Sequence, residues 1–365
     1  MNYREAALGA SEWLLRQPVD DPSLYDGGAG VILALLDAHA ASDDGRFRSK
    51  AEEIGAYERA QIQATPYRGF YVGLAGMGFA LRELGDDEGV RACIEAIPHR
   101  PPISTDIIYG DAGTILFLLR EGCDDLVAPM ADWLVSVGES VGDGMEWRYD
   151  LDEARYMPGF SHGTAGIAYA LAAAGRIDEA VAGARYLVSA GERTDAGYRI
   201  YHWRPGGEEE FPLGWCHGPA GTARLFQLLA DKTGEMLWHE LRDDCARTVR
   251  ASGIPERKQP GFWDNVASCC GSTGVAKFFL GMHRRTGDHD QLAFARLMAD
   301  DIVSRAAIDD AGVRWSNVEH RAPDPVLPPD YGQMQGAAGI AQFLFELDRF
   351  LNGDGSYRRW PDDPF

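Results

Sequence analysis

Seven copies of a Gly-x-x-Gly turn, each followed by an apolar stretch with helical spacing, constrain this chain more than any other feature. They are Gly27-Gly28-Ala29-Gly30, Gly73-Leu74-Ala75-Gly76, Gly110-Asp111-Ala112-Gly113, Gly163-Thr164-Ala165-Gly166, Gly218-Pro219-Ala220-Gly221, Gly271-Ser272-Thr273-Gly274 and Gly336-Ala337-Ala338-Gly339. Their second glycines lie 46, 37, 53, 55, 53 and 65 residues apart. A period of that size is one supersecondary unit repeated, and it decides the architecture before any local pattern does. In the fourth copy, residues 165–174 form a small-residue stretch suited to close helix packing, and Gly175 follows as a C′ glycine. Residues 177–190 then place Ile177, Val181, Ala184, Leu187 and Val188 at helical spacing, with Asp178, Glu179 and Arg185 between them. The unit is therefore an inner helix, an outer amphipathic helix and a loop back to the next turn. The fifth copy predicts the same pair over 220–230 and 236–251.

An open stack of such pairs ends in polar capping repeats. Here the first repeat (31–36) and the last (339–345) are as apolar as the middle ones. The expectation is closure: an all-α fold, an α/α toroid of seven inner and seven outer helices, in one domain spanning 1–365. All seven glycine turns would then share one rim. The glycines themselves let loops turn tightly and helix ends crowd together. A phosphate-cradling role is disfavoured, because no Lys-Ser/Thr follows any turn and no strand pattern precedes one.

Composition narrows the function classes. Thirty-five basic against fifty-six acidic residues give a net charge of −21, which argues against a nucleic-acid partner, since tracking phosphates needs a basic stripe. No run of eighteen apolar residues suggests a membrane span, and Met1-Asn2-Tyr3-Arg4-Glu5 does not open a secretory signal. A cytoplasmic location is expected. Six cysteines dispersed over 365 residues do not make a disulfide framework.

Three turns carry unusual residues: Gly159-Phe160-Ser161-His162-Gly163, Gly214-Trp215-Cys216-His217-Gly218 and Ser268-Cys269-Cys270-Gly271. If the turns share a rim, Cys216, Cys269 and Cys270 become neighbours and form a three-thiolate zinc site with an open fourth position. The alternative is three buried, inert thiols. Cys93, Cys123 and Cys245 lie in helical patterns and read as core. By themselves, His162, His217 and Asp106 read equally well as capping or structural groups at helix starts. Trp215 and the segment Phe262-Trp263-Asp264-Asn265 either wall a peptide site or pack beneath the loops.

Taken together, the seven glycine repeats, the Trp-Cys-x-Gly turn, the Cys-Cys-Gly turn and the x-His-Gly-x-Ala-Gly turn resemble the lanthionine synthetase C family. The resemblance spans nearly the whole chain. It implies an α/α toroid with a catalytic zinc that joins a cysteine thiol to dehydroalanine or dehydrobutyrine in a peptide. On that resemblance, Cys216 and Cys269 match the family's cysteine ligands, and Cys270 stands where many members have His. His162 matches the active-site histidine and Asp106 the aspartate four residues ahead of the third turn. Two positions depart from the pattern. Pro212 replaces a frequent arginine, a role Arg199 or Arg204 could fill, and His217 replaces a frequent tyrosine. The implied partner is a dehydrated ribosomal precursor peptide, prepared by a separate dehydratase or kinase.

The chemistry suits these residues. Zinc deprotonates a thiol near neutral pH, three protein thiolates leave the incoming sulfur electron-rich, and a histidine can protonate the α-carbon after addition. His162 is the first candidate acid and His217 the second, with Asp106 orienting His162. The competing readings are addition of an external thiol such as glutathione, and a non-catalytic zinc-stabilised scaffold in which His217 closes the metal site. Two other α/α-barrel chemistries rank lower: a glycosidase using Asp106 and Asp264, and a zinc prenyltransferase, neither of which uses a Cys-Cys-Gly turn.

Overall fold

A computed structural model describes residues 1–149, 154–256, 261–320 and 322–365. Among them are fourteen α-helices and three short hairpins. The chain groups into two compact units: Met1–Thr65 with Gly76–Cys93 and Ile254–Arg359, and Pro66–Ala75 with Ile94–Gly253 and Trp360–Phe365.

The second unit, which holds the middle of the chain, shows how each repeat is built. Helix α6 (Asp111–Arg120) pairs with α7 (Asp124–Ser136), α8 (Thr164–Ala173) with α9 (Ile177–Ala190), and α10 (Pro219–Thr233) with α11 (Met236–Ala251). The first of each pair is inner in the sense of being buried on nearly every face: every residue of α8 from Thr164 to Ala172 is buried. The second buries one stripe only, such as Ala180, Gly183, Ala184, Tyr186 and Leu187 in α9. Consecutive inner helices pack side by side, α6 on α8 and α8 on α10. Gly175 ends α8 with φ +82, the left-handed conformation a C′ glycine supplies without strain.

The glycine turns have a steric cause. In the third and fourth turns the first glycine caps the inner helix in extended backbone, with φ −105 at Gly110 and −149 at Gly163, whereas Gly73 in the second turn has φ +139. A Cβ at Gly163 would stand 1.6 Å from the carbonyl oxygen of Met157, six residues earlier. A Cβ at the second glycine, Gly166, would stand 2.0 Å from the carbonyl of Phe160, again six residues earlier. Close approach of the incoming loop, rather than a left-handed turn, therefore demands glycine here.

The hairpins were absent from the sequence reading, although their turns are legible. Strands β1 (Glu139–Val141) and β2 (Gly144–Glu146), β3 (Glu192–Thr194) and β4 (Gly197–Arg199), and β5 (Ala307–Asp309) and β6 (Gly312–Arg314) are each antiparallel with a two-residue turn. Each follows an outer helix and closes its exposed end. Trp147 Nε1 donates to Leu134 O at 2.7 Å, Tyr198 Oη to Leu187 O at 2.7 Å, and Trp315 Nε1 to Ile302 O at 2.8 Å. These are carbonyls of each helix's last turn; those of Leu187 and Ile302 also accept the amides of Gly191 and Arg305. Each hairpin then rests on another outer helix: β2 on α9 and β4 on α11.

The first unit corrects the expected order of pairs. It contains α2 (Gly28–Ser42), α3 (Gly45–Gln61), most of α4 (Leu74–Leu84) and α5 (Asp87–Ala96), then α12 (Ser272–Thr286), α13 (His289–Ser304) and α14 (Ala337–Leu351). No outer helix follows α14. Its partner is the N-terminal helix α1 (Tyr3–Leu14), which packs on α14 through a face including Ala6, Ala7, Ala10 and Trp13. The hairpin β5–β6, after α13, rests on α1 just as the other hairpins rest on outer helices. The seventh outer helix is thus supplied by the start of the chain.

Cys93 and Cys245 are buried in helices, as expected, but Cys123 is a half-buried cap residue ahead of α7. All six cysteines are free thiols. No helix among the described residues is long and apolar enough to cross a membrane.

Candidate active site and metal ligands

Numbering back from the first glycine of each repeat brings the unusual residues into register. Two places before it stand Tyr25, Tyr71, Ile108, Ser161, Cys216, Cys269 and Met334; one place before it stand Asp26, Val72, Tyr109, His162, His217, Cys270 and Gln335. Within each unit the turns are tied edge to edge at these positions. In the second unit Ile107 N–H donates to Ser161 O at 3.2 Å and Ser161 N–H to Cys216 O at 2.9 Å. In the first, Cys269 N–H donates to Met334 O and Met334 N–H to Tyr25 O, both at 2.9 Å. Residues far apart in sequence become neighbours because the repeat places them at the same point of adjoining turns.

In the second unit this assembles Asp106, His162, His217 and Cys216. Asp106 is fully buried. Its Oδ1 accepts the amides of Tyr109 (2.7 Å) and Gly110 (2.9 Å), and its Oδ2 lies 2.6 Å from His162 Nδ1. Asp106 is therefore both the capping group that the residues alone allow and a partner of His162. With a carboxylate on Nδ1, that nitrogen carries hydrogen and Nε2 is left to exchange a proton. Tyr109 stacks on the His162 ring and Tyr149 meets it edge-on at 5.1 Å between centroids. A cavity of about 140 Å³ is lined by Ile103, Ser104, Asp106, Tyr109 and Tyr149.

His217 lies beyond His162, with ring centroids 5.8 Å apart. Its ring is half-buried, and desolvation, with the neighbouring His202 and His162 rings, holds it well below the ordinary histidine range. Its Nδ1 is buried with no hydrogen-bond partner. His202 was missed from sequence. Its ring stands 4.3 Å from that of His217, and its Nδ1 lies 3.0 Å from Glu210. The only signal was its place in an aromatic run, Tyr201-His202-Trp203, shortly before the Trp-Cys-His turn. The candidates for the arginine missing at Pro212 are engaged elsewhere. Arg199 pairs with Glu192 and lies over Phe211, while Arg204 pairs with Glu146 and lies over Tyr156. Trp215 is a packing residue, wedged edge-on against Tyr71 and Phe160.

In the first unit, Cys269 is buried, Cys270 is exposed, and their sulfurs are 3.4 Å apart. Two adjacent thiols converging on one point can serve a single soft metal ion. The Tyr25 hydroxyl accepts from Gln335 Nε2 at 2.9 Å. Trp263 packs beneath the turn and donates to Ser272 Oγ at 3.0 Å, and Asp264 faces His320.

Comparison with known structures shows the fold. Nisin cyclase is similar with a TM-score of 0.69 at 15% identity, over 93% of this chain and 91% of that one. An unsaturated glucuronyl hydrolase from a Bacillus species scores 0.56 at 16% identity over 97% and 98% of the two chains. An α-1,6-mannanase from a Salegentibacter species scores 0.52 at 10% identity over 96% and 99%. The architecture is the α/α toroid expected from the repeats, and one fold hosting a cyclase and two carbohydrate-active enzymes carries no function by itself. The family is fixed independently. The model describing "Lanthionine synthetase C-like protein" matches residues 18–362, so the chain belongs to the lanthionine synthetase C-like family.

Proposed function

We propose that this protein is a zinc-dependent lanthipeptide cyclase. On this reading it adds a cysteine thiol of a dehydrated precursor peptide to dehydroalanine or dehydrobutyrine, forming a thioether ring. Family membership over residues 18–362 supports the reaction class, as does the likeness to nisin cyclase. The observation that carries it to this chain is the Asp106–His162 pair at 2.6 Å, with the buried Asp106 at the wall of a cavity.

Cys216, Cys269 and Cys270 are the ligands this reading assigns to zinc. Their chemistry fits: three free thiols, at the repeat positions one and two places before a first glycine, with Cys269 and Cys270 converging in one turn. When bound, zinc would hold the substrate cysteine as thiolate at neutral pH. The thiolate sulfur attacks the β-carbon of the dehydro residue, and the alkene electron pair moves onto the α-carbon and its carbonyl. His162 gives its Nε2 proton to the α-carbon. Asp106 holds Nδ1–H throughout and stabilises the imidazolium that precedes transfer. The proton lost by the substrate thiol balances the proton gained at carbon, so ring closure leaves peptide mass unchanged. Tyr109 and Tyr149 wall the cavity and pack against the His162 ring.

The test combines zinc content with cyclisation of a dehydrated cysteine-containing peptide, followed by loss of maleimide-reactive thiol at constant mass. One zinc per chain and thiol loss in the wild type, but not in His162→Ala, are expected. Addition of glutathione in place of ring closure would redirect the reading to an external thiol. Zinc without either reaction would leave a scaffold.

A further inference from the structure

We propose that Tyr71 is a positioning residue that couples residues 360–365 to the two turns carrying Cys216 and His162. This rests on the cyclase reading above. All of these residues belong to the second unit. Tyr71 stands in the second turn at the register position of Cys216, and its amide donates to Ile108 O at 3.1 Å. Its ring meets Trp215 edge-on at 5.2 Å, and Trp215 meets Phe160 edge-on at 5.7 Å. Trp215 directly precedes Cys216, and Phe160 lies two residues before His162. The Tyr71 hydroxyl donates to Asp362 Oδ2 at 3.0 Å. Arg224 of α10 donates from Nη1 to Asp362 O at 2.8 Å, reaches Asp363 at 3.4 Å and lies 5.7 Å from the centroid of the Phe160 ring. The contacts close a loop that runs from Tyr71 through Trp215, Phe160, Arg224 and Asp362 back to Tyr71. Tyr169 of α8 ties the same segment, its hydroxyl donating to Pro361 O at 3.3 Å.

Packing alone does not call for this layer. Arg224 and Asp362 are only 4% and 1% exposed, and aliphatic side chains would fill the space without the cost of burying charge. What the hydrogen bonds add is direction. A phenol anchored at its hydroxyl has one tilt, and the edge-on contacts pass that tilt to Trp215 and Phe160. The reaction needs such fixity. His162 Nε2 must stand at a set distance from the α-carbon while the thiolate sulfur is held at the β-carbon, and a misplacement of about 1 Å costs about 10²-fold in rate.

The experiment measures kcat and KM for thioether formation in a dehydrated cysteine-containing peptide, the urea midpoint, and the low-field proton resonance of the His162 Nδ1–H bonded to Asp106. It compares wild type, Tyr71→Phe, Asp362→Asn and Trp147→Phe. Tyr71→Phe keeps the ring and removes only the hydroxyl. It is expected to lower kcat by about 10–100-fold, to leave KM within about twofold and to shift the His162 resonance. Asp362→Asn should act in the same direction, and it decides the matter should Tyr71→Phe fold poorly. Trp147→Phe, beside the β1–β2 hairpin, should lower the urea midpoint without moving kcat or the resonance. If Tyr71→Phe and Asp362→Asn lose stability but match the wild type in kcat and resonance, the positioning role is overturned and the cyclase reading stands; equal losses of kcat in Trp147→Phe would do the same. A wild type that forms no thioether overturns the cyclase reading. The His162 resonance then decides the coupling by itself: unmoved in Tyr71→Phe and Asp362→Asn, it overturns the positioning role as well.

Discussion

At the scale of single residues, the Asp106–His162 pair and Glu58 use burial in opposite ways. Asp106 loses all contact with water but gains two amide donors and an imidazole, so its charge is fully partnered. Asp106→Asn is expected to leave the turn folded, since an amide oxygen can still accept the Tyr109 and Gly110 hydrogens. Cyclisation should fall by about 10²-fold or more, the usual range for lost acid–base function, with zinc content unchanged; undiminished turnover would remove the pair from the mechanism. Glu58 in α3 is equally buried, yet neither carboxylate oxygen has a partner, and desolvation pushes its pKa well above the usual carboxylate value. A raised folded pKa means that folding takes up a proton between the unfolded value and the folded one. Its stabilising contribution is complete below the unfolded value and is lost as pH climbs through the folded value. Glu58→Gln should flatten the fall in stability above pH 5, which otherwise approaches about 1.4 kcal/mol per pH unit. Denaturant melts of both proteins at pH 5 and pH 8 check this.

At the scale of elements, ring closure depends on α1. Its small face, Ala6, Ala7 and Ala10, fits against α14, and Gly9 lets the hairpin approach so closely that a Cβ there would stand 2.4 Å from Val313 Cγ2. Gly9→Val should cost about 1–3 kcal/mol through overpacking, read as a lower midpoint in urea. Removing residues 1–15 would strip the cover from α14, whose Ala337 to Phe345 are all buried. The expected result is aggregation or loss of cooperative unfolding on size-exclusion and melting. The hairpin tryptophans make a smaller prediction. Trp147→Phe leaves the Leu134 carbonyl without its donor and should cost about 1–3 kcal/mol.

At the scale of the whole molecule, an arginine far along the sequence ties helices from its first quarter. Arg358 is half-buried and reaches Asp37 of α2 and Glu83 of α4 with contacts of 3.0 Å. Arg358→Met removes a hydrogen-bonded cation shared by both carboxylates and is expected to destabilise by about 1–3 kcal/mol, visible as a drop in melting temperature.

The repeat period, the inner helices over 165–174 and 220–230, and the outer helices over 177–190 and 236–251 were legible because glycine punctuation and apolar spacing are local signals. So were the unusual residues of the three turns. The seventh outer helix was not, because pairing α1 with α14 joins opposite ends of the chain and leaves no local trace. The hairpins were passed over because three-residue strands carry too little alternation to register. His202 was invisible for the same reason as α1: its role comes from which segment lies beside which. Sequence by itself determined the repeat, the fold class and the residue types available for chemistry, since these follow from composition and periodicity. Only the tertiary structure decided that Asp106 meets His162 and that His202 rather than an arginine stands on His217, because side-chain contacts across repeats depend on packing distances that no single segment encodes.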